Sequence, residues 1–157
     1  GPLHGGANEE VMHMMSKIKK PDNALSWINK ALNNKDVIMG FGHRVYKKGD
    51  SRVPTMEKYF KKVAEIKKDK KFQKIYDIVK SVMLDRKDIH PNVDYPTGPS
   101  YHLMGFDTDF FTPLFVISRI TGWSAHVMEQ HSANKLIRPL SKYRGEKYRK
   151  VTLINQR

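Results

Sequence analysis

Apolar residues recur along the chain at intervals of three and four, which is the spacing of one face of an α-helix. Asn8 is a predicted N-cap, and Val11, Met14, Met15 and Ile18 form the first apolar stripe after it. Similar stretches follow, separated by Pro, Gly and Asn, which end helices. The further predicted helices begin near Pro21 and near Pro54, span roughly residues 72–85, and run from Thr112 to about Gln130.

Two stretches lack this pattern. Residues 36–39 are expected to be briefly extended before Gly40–His43, where two glycines permit backbone conformations closed to other residues. The segment His90–Asp94 contains a proline and is too short for a helix, and residues 96–99, which are Pro-Thr-Gly-Pro, are expected to stay irregular. We find no internal repeat and no predicted strand pairing. The predicted fold class is therefore all-α.

The last predicted helix differs from the others because it is apolar on nearly every side. Such a helix is typically buried in a larger body, and Arg119 lies inside it. From Asn134 onward the chain is basic and has the composition of a loop, so a free tail is expected.

The composition of the chain limits which partners and which reactive groups are to be expected. The 157 residues carry a net charge of +13, which favours anionic partners, although the lysines lie mainly opposite the apolar stripes and are typical of a solvated face. The absence of cysteine excludes disulfides, a thiolate nucleophile and cysteine-ligated metals. No apolar run is long enough for a membrane span, and a chain that begins at Gly1 without methionine is expected to be a cleaved, tagged or truncated product.

Three segments combine a reactive side chain with a backbone that helix patterning does not explain. His4 precedes a predicted helix N-terminus, where a neutral imidazole could donate a hydrogen bond to a developing oxyanion; a plain turn histidine is the alternative. His43, Lys47 and Arg52 lie beside the glycine loop and resemble an anion pocket. Asp94 is either a general base or a turn residue.

The spacing of glycines, serines and histidines excludes several other kinds of site. The glycines fit neither the P-loop nor the dinucleotide-binding fingerprint, and there is no serine-hydrolase elbow. The seven histidines show no metal-ligand spacing, so no metal site is predicted.

Taken together and in this order, the motifs resemble the C-terminal part of the citrate synthase family. The resemblance covers the chain from Gly1 to about Tyr143. Its segments are GPLHGGANEEVM, GFGHRVYKKGDSR, HPNVDY, FTPLFVISRITGWSAHVMEQ and LIRP.

The resemblance implies a dimeric helical enzyme that condenses an acyl-CoA with oxaloacetate and releases CoA after thioester hydrolysis. His4 would stabilise the enol or enolate of the thioester, Asp94 would remove the α-proton, and His43 would bind and polarise the oxaloacetate carbonyl. Carboxylates would be held by a set of arginines, the last of them lent by the neighbouring subunit. These are Arg52, Arg119 and Arg138.

The resemblance also implies how CoA is bound. The loop from Val37 to Gly42 would lie against the adenine, and Lys47 stands where a basic residue meets a CoA phosphate. No cofactor is expected, since CoA is a carrier of substrate and product. The loop residues are Val37, Ile38, Met39, Gly40, Phe41 and Gly42.

In the family, most of the large domain and another oxaloacetate-binding histidine lie upstream of the segments matched here. Residues 1–106 would be mainly the small CoA-binding domain, with His4 at the domain junction, and residues 107–157 would be the C-terminal part of the large domain. The chain alone is expected to be inactive. The segment NVDYPTGPSYHLMGFDT resembles the family members that use propionyl-CoA, and such enzymes often accept acetyl-CoA as well.

Two hypotheses from other classes stay open at this point. The net charge of +13 leads to the hypothesis of a basic helical domain that binds nucleic acid. The lysines are dispersed, however, and neither nucleic acid nor membrane is the expected partner. A non-catalytic interaction module is the second alternative. The expected location is the cytoplasm of a bacterial-type cell, with the mitochondrial matrix left open.

Overall fold

A computed structural model describes residues 5–148 and 150–156, in which the regular elements are helices and no sheet forms. Within them the only extended pairing is an isolated antiparallel bridge between Phe41 and Pro91. The all-α prediction is confirmed. The helices are α1 Ala7–Ile18, α2 Pro21–Asn33, α3 Val53–Ile66, α4 Lys71–Lys87, α5 Asp94–Met104 and α6 Phe111–Ser132, with short 3₁₀ turns at Thr108–Phe110 and Ile154–Gln156.

The core is built mainly from apolar side chains of the first five helices, and Phe111 at the start of α6 adds to it. Helix α5 packs against α1 and α3, and α2 packs against α4. Because the apolar stripes of α1 to α4 recur at helical spacing, each of these four helices buries one face and leaves most of its lysines in solvent. The largest fully buried side chains include Tyr76, Tyr95, Phe60, Phe111, Met12, Met15, Ile18, Ile28 and Ile75.

The expectation that residues 96–99 stay irregular is wrong, because they lie inside α5. Pro96 lies in the first turn, where its missing N–H costs no helical hydrogen bond, and Pro99 is the interior exception. Burial offsets the cost of Pro and Gly in this helix, since Tyr95–Ser100 are all buried. At Gly98, an added Cβ would lie 2.9 Å from the Asn8 carbonyl oxygen, so the glycine permits the close approach of α1. Tertiary packing has overridden local propensity here.

The predicted N-cap at Asn8 is also wrong by two residues, since Gly6 caps α1. Asn8 is buried instead, and its side-chain amide donates to the Phe111 carbonyl oxygen at 3.4 Å. Glu9 accepts a hydrogen bond from the Thr112 backbone N–H at 3.0 Å, which satisfies one of the unpaired donors at the start of α6. The beginnings of α1 and α6 are therefore joined.

Helix α6 forms over nearly the predicted residues, but this chain does not bury it. Only Phe111 at its start is buried, and Ile117 is 66% exposed. Two compact units divide between Thr121 and Gly122. Beyond residue 133 the described part of the second unit is loop, as the composition predicts, apart from the 3₁₀ turn at Ile154–Gln156. No described helix is long and apolar enough to cross a membrane.

Candidate functional site

Two loops of the first unit are paired, and together we call residues 40–52 and 90–94 the loop pair. The Gly42 N–H donates to the His90 carbonyl oxygen at 2.9 Å, and the Asn92 N–H donates to the Gly40 carbonyl oxygen at 2.8 Å. The Asn92 side-chain amide adds a bond to the Gly42 carbonyl oxygen at 2.9 Å. The segment that carries His43 is thereby attached to the segment that carries Asp94.

The loop pair rests on the core through Gly40 and Phe41. Gly40 has φ of +85°, and an added Cβ would lie 2.8 Å from both the Tyr95 Cβ and a Val11 methyl carbon. The Phe41 ring packs on the Tyr95 ring with centroids 4.4 Å apart. Only glycine meets both the positive φ and the close packing at position 40, so the loop pair has a fixed anchor on α1 and α5.

Asp50 connects the two halves of the loop pair. Its side chain is 0% exposed, and each carboxylate oxygen accepts two hydrogen bonds. Oδ1 accepts from the Arg52 N–H at 3.0 Å and Nε at 2.9 Å, and Oδ2 accepts from Arg52 Nη2 at 2.7 Å and from the Val93 N–H at 3.1 Å. The side-chain bonds from Arg52 hold the pKa of Asp50 at about 2, despite the opposing effect of burial.

Arg52 is held by one edge of its guanidinium. Nε and Nη2 engage Asp50, which leaves the Nη1 edge outside that fork, and the side chain is 43% exposed. The hydrogen bond to Asp50 raises the pKa of Arg52, and the nearby charge of Asp94 adds to this. An arginine held at one edge and open at the other suits bidentate binding of a second carboxylate.

Backbone hydrogen bonds to the ring of His43 favour one tautomer of the neutral imidazole. Its Nδ1 accepts hydrogen bonds from the backbone N–H groups of Val45 at 3.1 Å and Tyr46 at 3.2 Å. An imidazole nitrogen that accepts carries no proton, so the neutral ring has its proton on Nε2. The Tyr46 ring lies against it with centroids 4.6 Å apart. His43 therefore presents an Nε2–H donor, which suits polarisation of a carbonyl oxygen.

Asp94 is the first residue of α5 and is half-buried. Its N–H donates to the Asn92 side-chain oxygen at 3.0 Å, so Asn92 organises both loops. The charge of Asp94 helps to raise the pKa of Arg52, so the two side chains are close enough to interact. An ionised aspartate at this position can accept a proton from a ligand.

The segment proposed for CoA is described from Val37 to Gly42. Val37 is 81% exposed, whereas Ile38 is buried at 7%, so the segment alternates between solvent and core before Gly40. Lys47 is exposed, and its ammonium donates to the His43 carbonyl oxygen at 3.3 Å. The backbone path of this segment and the position of the Lys47 ammonium are therefore defined. Their contact with CoA stays a prediction.

Three further predicted residues, His4, Arg119 and Arg138, belong to other segments of the chain than the loop pair. His4 lies outside the described residues. Arg119 was expected to be a buried charge with a partner, but it is exposed, and its guanidinium carbon lies 4.6 Å from the Phe115 ring centroid. Arg138 is exposed in the loop of the second unit. Of the predicted catalytic and carboxylate-binding residues, the loop pair holds His43, Arg52 and Asp94.

Asp50, Asn92 and Tyr46 contact the predicted residues in the structure, although the sequence pattern did not predict a role for them. The two-residue spacing of Asp50 and Arg52 was the one local signal, since an aspartate at that distance can form the observed fork. In the described part of the chain, no group of three or more His, Asp or Glu residues could hold a metal ion.

Comparison with known proteins identifies the family. Residues 1–140 match the model of the citrate synthase C-terminal domain. The chain is 57% identical over its whole length to 2-methylcitrate synthase 2 of Corynebacterium glutamicum, covering 41% of that protein. It is 54% identical over 95% of its length to 2-methylcitrate synthase of Mycobacterium tuberculosis, covering 38% of it. The chain thus spans about two fifths of these curated relatives.

Solved structures of citrate synthases are similar to this chain as well. The citrate synthase of Thermoplasma acidophilum, in ternary complex with carboxymethyl coenzyme A and oxaloacetate, superimposes with a TM-score of 0.78 at 36% identity, covering all of this chain and 43% of that one. The citrate synthase of Thermotoga maritima gives 0.76 at 38% identity, with 100% and 44% coverage. These matches give no support to the nucleic-acid alternative. The chain belongs to the citrate synthase family and corresponds to its C-terminal domain.

Proposed function

We propose that this chain supplies part of an active site that condenses an acyl-CoA with oxaloacetate, giving 2-methylcitrate or citrate and CoA. The observation that carries the proposal is the loop pair, in which Asp50 and Asn92 tie together a histidine donor, an arginine and an aspartate. The names of the relatives support the same reaction, which is an acyl transfer with conversion of the acyl group to alkyl.

The chemistry assigns one task to each side chain. The Asp94 carboxylate takes the α-proton of the thioester, and the resulting enol or enolate carbon forms a bond to the carbonyl carbon of oxaloacetate. The His43 Nε2–H stabilises the negative charge that develops on that carbonyl oxygen, which then takes up a proton. Arg52 binds a carboxylate of oxaloacetate through its Nη1 edge. Hydrolysis of the thioester releases CoA.

Three further residues complete the proposal. His4 donates a hydrogen bond to the thioester carbonyl, and Arg119 and Arg138 bind carboxylates. Arg119 is exposed in this chain, so its guanidinium is open to a ligand. We propose a homodimer in which Arg138 is shared across the interface.

CoA is proposed to bind along Val37–Gly42, with its adenine on the loop and a phosphate near Lys47. An exposed Val37 and an exposed cationic Lys47 support this assignment. In this proposal residues 1–106 form mainly the small CoA-binding domain, with His4 at the domain junction, and residues 107–157 form the C-terminal part of the large domain. The cytoplasm of bacterial-type cells is the proposed location.

The acyl group is proposed to be propionyl first and acetyl second. Relatives named 2-methylcitrate synthase reach 57% and 54% identity, but one named citrate synthase, from Mycolicibacterium smegmatis, is 52% identical. The proposed pathways are accordingly the methylcitrate cycle and the tricarboxylic acid cycle. A single methylene contributes only about 1 to 3 kcal/mol to such selectivity.

A chimera tests the reaction. This chain replaces the matching segment of the Corynebacterium glutamicum enzyme, to which it is 57% identical, and thiol release is measured with propionyl-CoA and oxaloacetate. Asp94→Asn should lower turnover about 10²- to 10⁴-fold while oxaloacetate still binds. Asp109→Asn, at an exposed aspartate of a 3₁₀ turn, is the matched control and should change neither. Unchanged turnover in Asp94→Asn would refute the assignment.

A further inference from the structure

Tyr46 contacts both of the proposed oxaloacetate-binding groups in the loop pair. Its ring lies against the His43 imidazole with centroids 4.6 Å apart and planes inclined by 35°. On Arg52, the guanidinium carbon lies 5.7 Å from the Tyr46 ring centroid. One exposed aromatic side chain, 39% accessible, thus borders two donors that the proposed reaction needs.

At His43, Tyr46 acts through backbone and ring together. Its N–H is one of the two donors to Nδ1, at 3.2 Å, and its ring limits rotation of the imidazole away from them. These bonds are exposed, so water competes for both the donors and Nδ1. The ring contact excludes solvent from one face and favours the orientation in which Nδ1 accepts and Nε2 donates.

At Arg52, two contacts fix different directions. Asp50 holds the Nε and Nη2 edge, which sets the in-plane position of the guanidinium. The guanidinium carbon also lies over the Tyr46 ring at cation–π distance, which limits movement of the guanidinium away from that ring. The Nη1 edge then keeps a defined direction.

We propose that the Tyr46 ring is a positioning residue, which holds the His43 Nε2–H and the Arg52 Nη1 edge in orientations that serve one bound carboxylate-bearing ligand. This inference rests on the proposed function for the identity of that ligand, oxaloacetate. The role belongs to the aromatic ring, because the observed contacts are made by the ring and the backbone N–H. The Tyr46→Phe variant should therefore keep this positioning role, and the Tyr46→Leu variant should lose it.

The test uses the 157-residue chain with Tyr46→Phe, Tyr46→Leu and, as matched control, Tyr59→Leu at another exposed tyrosine of the same unit. Long-range ¹H–¹⁵N spectra at pH 8 report which ring nitrogen of His43 is protonated, with His43→Gln used for assignment. The same substitutions are made in the chimera described above, and a titration of each with oxaloacetate gives its dissociation constant. Circular dichroism verifies that each variant is folded.

The wild type, Tyr46→Phe and Tyr59→Leu should show His43 protonated on Nε2. In Tyr46→Leu, the ratio of that tautomer to the other should fall about two- to tenfold, the usual effect of one aromatic contact, and oxaloacetate affinity should fall by a similar factor. Arg52 contributes to the loss of affinity but not to the tautomer signal, so the affinity change should equal or exceed the tautomer change.

Several results would overturn the inference. A wild-type tautomer ratio in Tyr46→Leu would remove the role in positioning His43, and an unchanged oxaloacetate affinity would remove the role towards the ligand. A loss in Tyr46→Phe equal to that in Tyr46→Leu would show that the hydroxyl, not the ring, acts. If the wild-type chimera binds no oxaloacetate, the proposed function fails, while the tautomer measurement still decides the role of Tyr46 at His43.

Discussion

The loop pair and helix α6 differ in where their side chains find partners. In the loop pair, the buried Asp50 carboxylate accepts four hydrogen bonds from within the chain, and Gly40 is packed against two core side chains. Along α6, by contrast, large apolar side chains such as Ile117 and Met128 are mostly exposed. The loop pair depends on tertiary contacts, whereas α6 forms through local backbone hydrogen bonds. Substitutions should therefore be costly in the first region and nearly neutral in the second.

The largest effect is expected at Gly40. Gly40→Ala combines a strained φ of +85° with overlap against Tyr95 and Val11, and should lower the free energy of unfolding by about 3 kcal/mol or more. Gly105→Ala is the matched control, since φ is +93° but no atom lies within 4 Å of the added Cβ. It should cost only about 1 to 2 kcal/mol. Equal losses in urea denaturation would contradict the close packing at Gly40.

Asp50→Asn should have the next largest effect. The amide cannot accept all four hydrogen bonds, so the free energy of unfolding should fall by about 2 to 3 kcal/mol, less than for a fully buried pair because Arg52 is partly exposed. Asp36→Asn, at an exposed loop aspartate, is the control and should cost less than about 0.5 kcal/mol. Denaturation of the two variants side by side measures the difference. Equal losses would show that Asp50 does not support the loop pair.

Acid should remove part of the same contribution. Arg52 lowers the pKa of Asp50 from 3.8 to about 2, so the unfolded chain takes up this proton first as the pH falls. The stabilisation is complete above pH 5 and lost between about pH 4 and pH 2, by about 2 kcal/mol. Subtracting the stability of Asp50→Asn from that of the wild type at each pH isolates this residue. A difference that persists unchanged at pH 2 would exclude the electrostatic origin.

The contrast between these regions also explains what the sequence could predict. Helices α1 to α4 follow from apolar periodicity, because each buries one face. Helix α5 does not, since Pro99 and Gly98 oppose a helix locally and only packing on α1 and α3 compensates. Histidine, arginine and aspartate were predictable as reactive types in the loops. Asp50 was not, because its bond to Val93 spans 43 residues and exists only in the fold.

The smallest effect is expected on α6. Ile117 is 66% exposed, so Ile117→Ala removes little buried area and should change the free energy of unfolding by less than about 0.5 kcal/mol. Ile75→Ala, at a fully buried isoleucine of α4, makes the same chemical change and should cost about 2 to 5 kcal/mol. Urea denaturation at two protein concentrations measures both. A cost above about 1 kcal/mol for Ile117→Ala would show that this face of α6 is covered in solution, and a dependence on concentration would identify a second copy of the chain as the cover. Either result would remove the contrast with the loop pair, because α6 too would then depend on tertiary or intermolecular contacts.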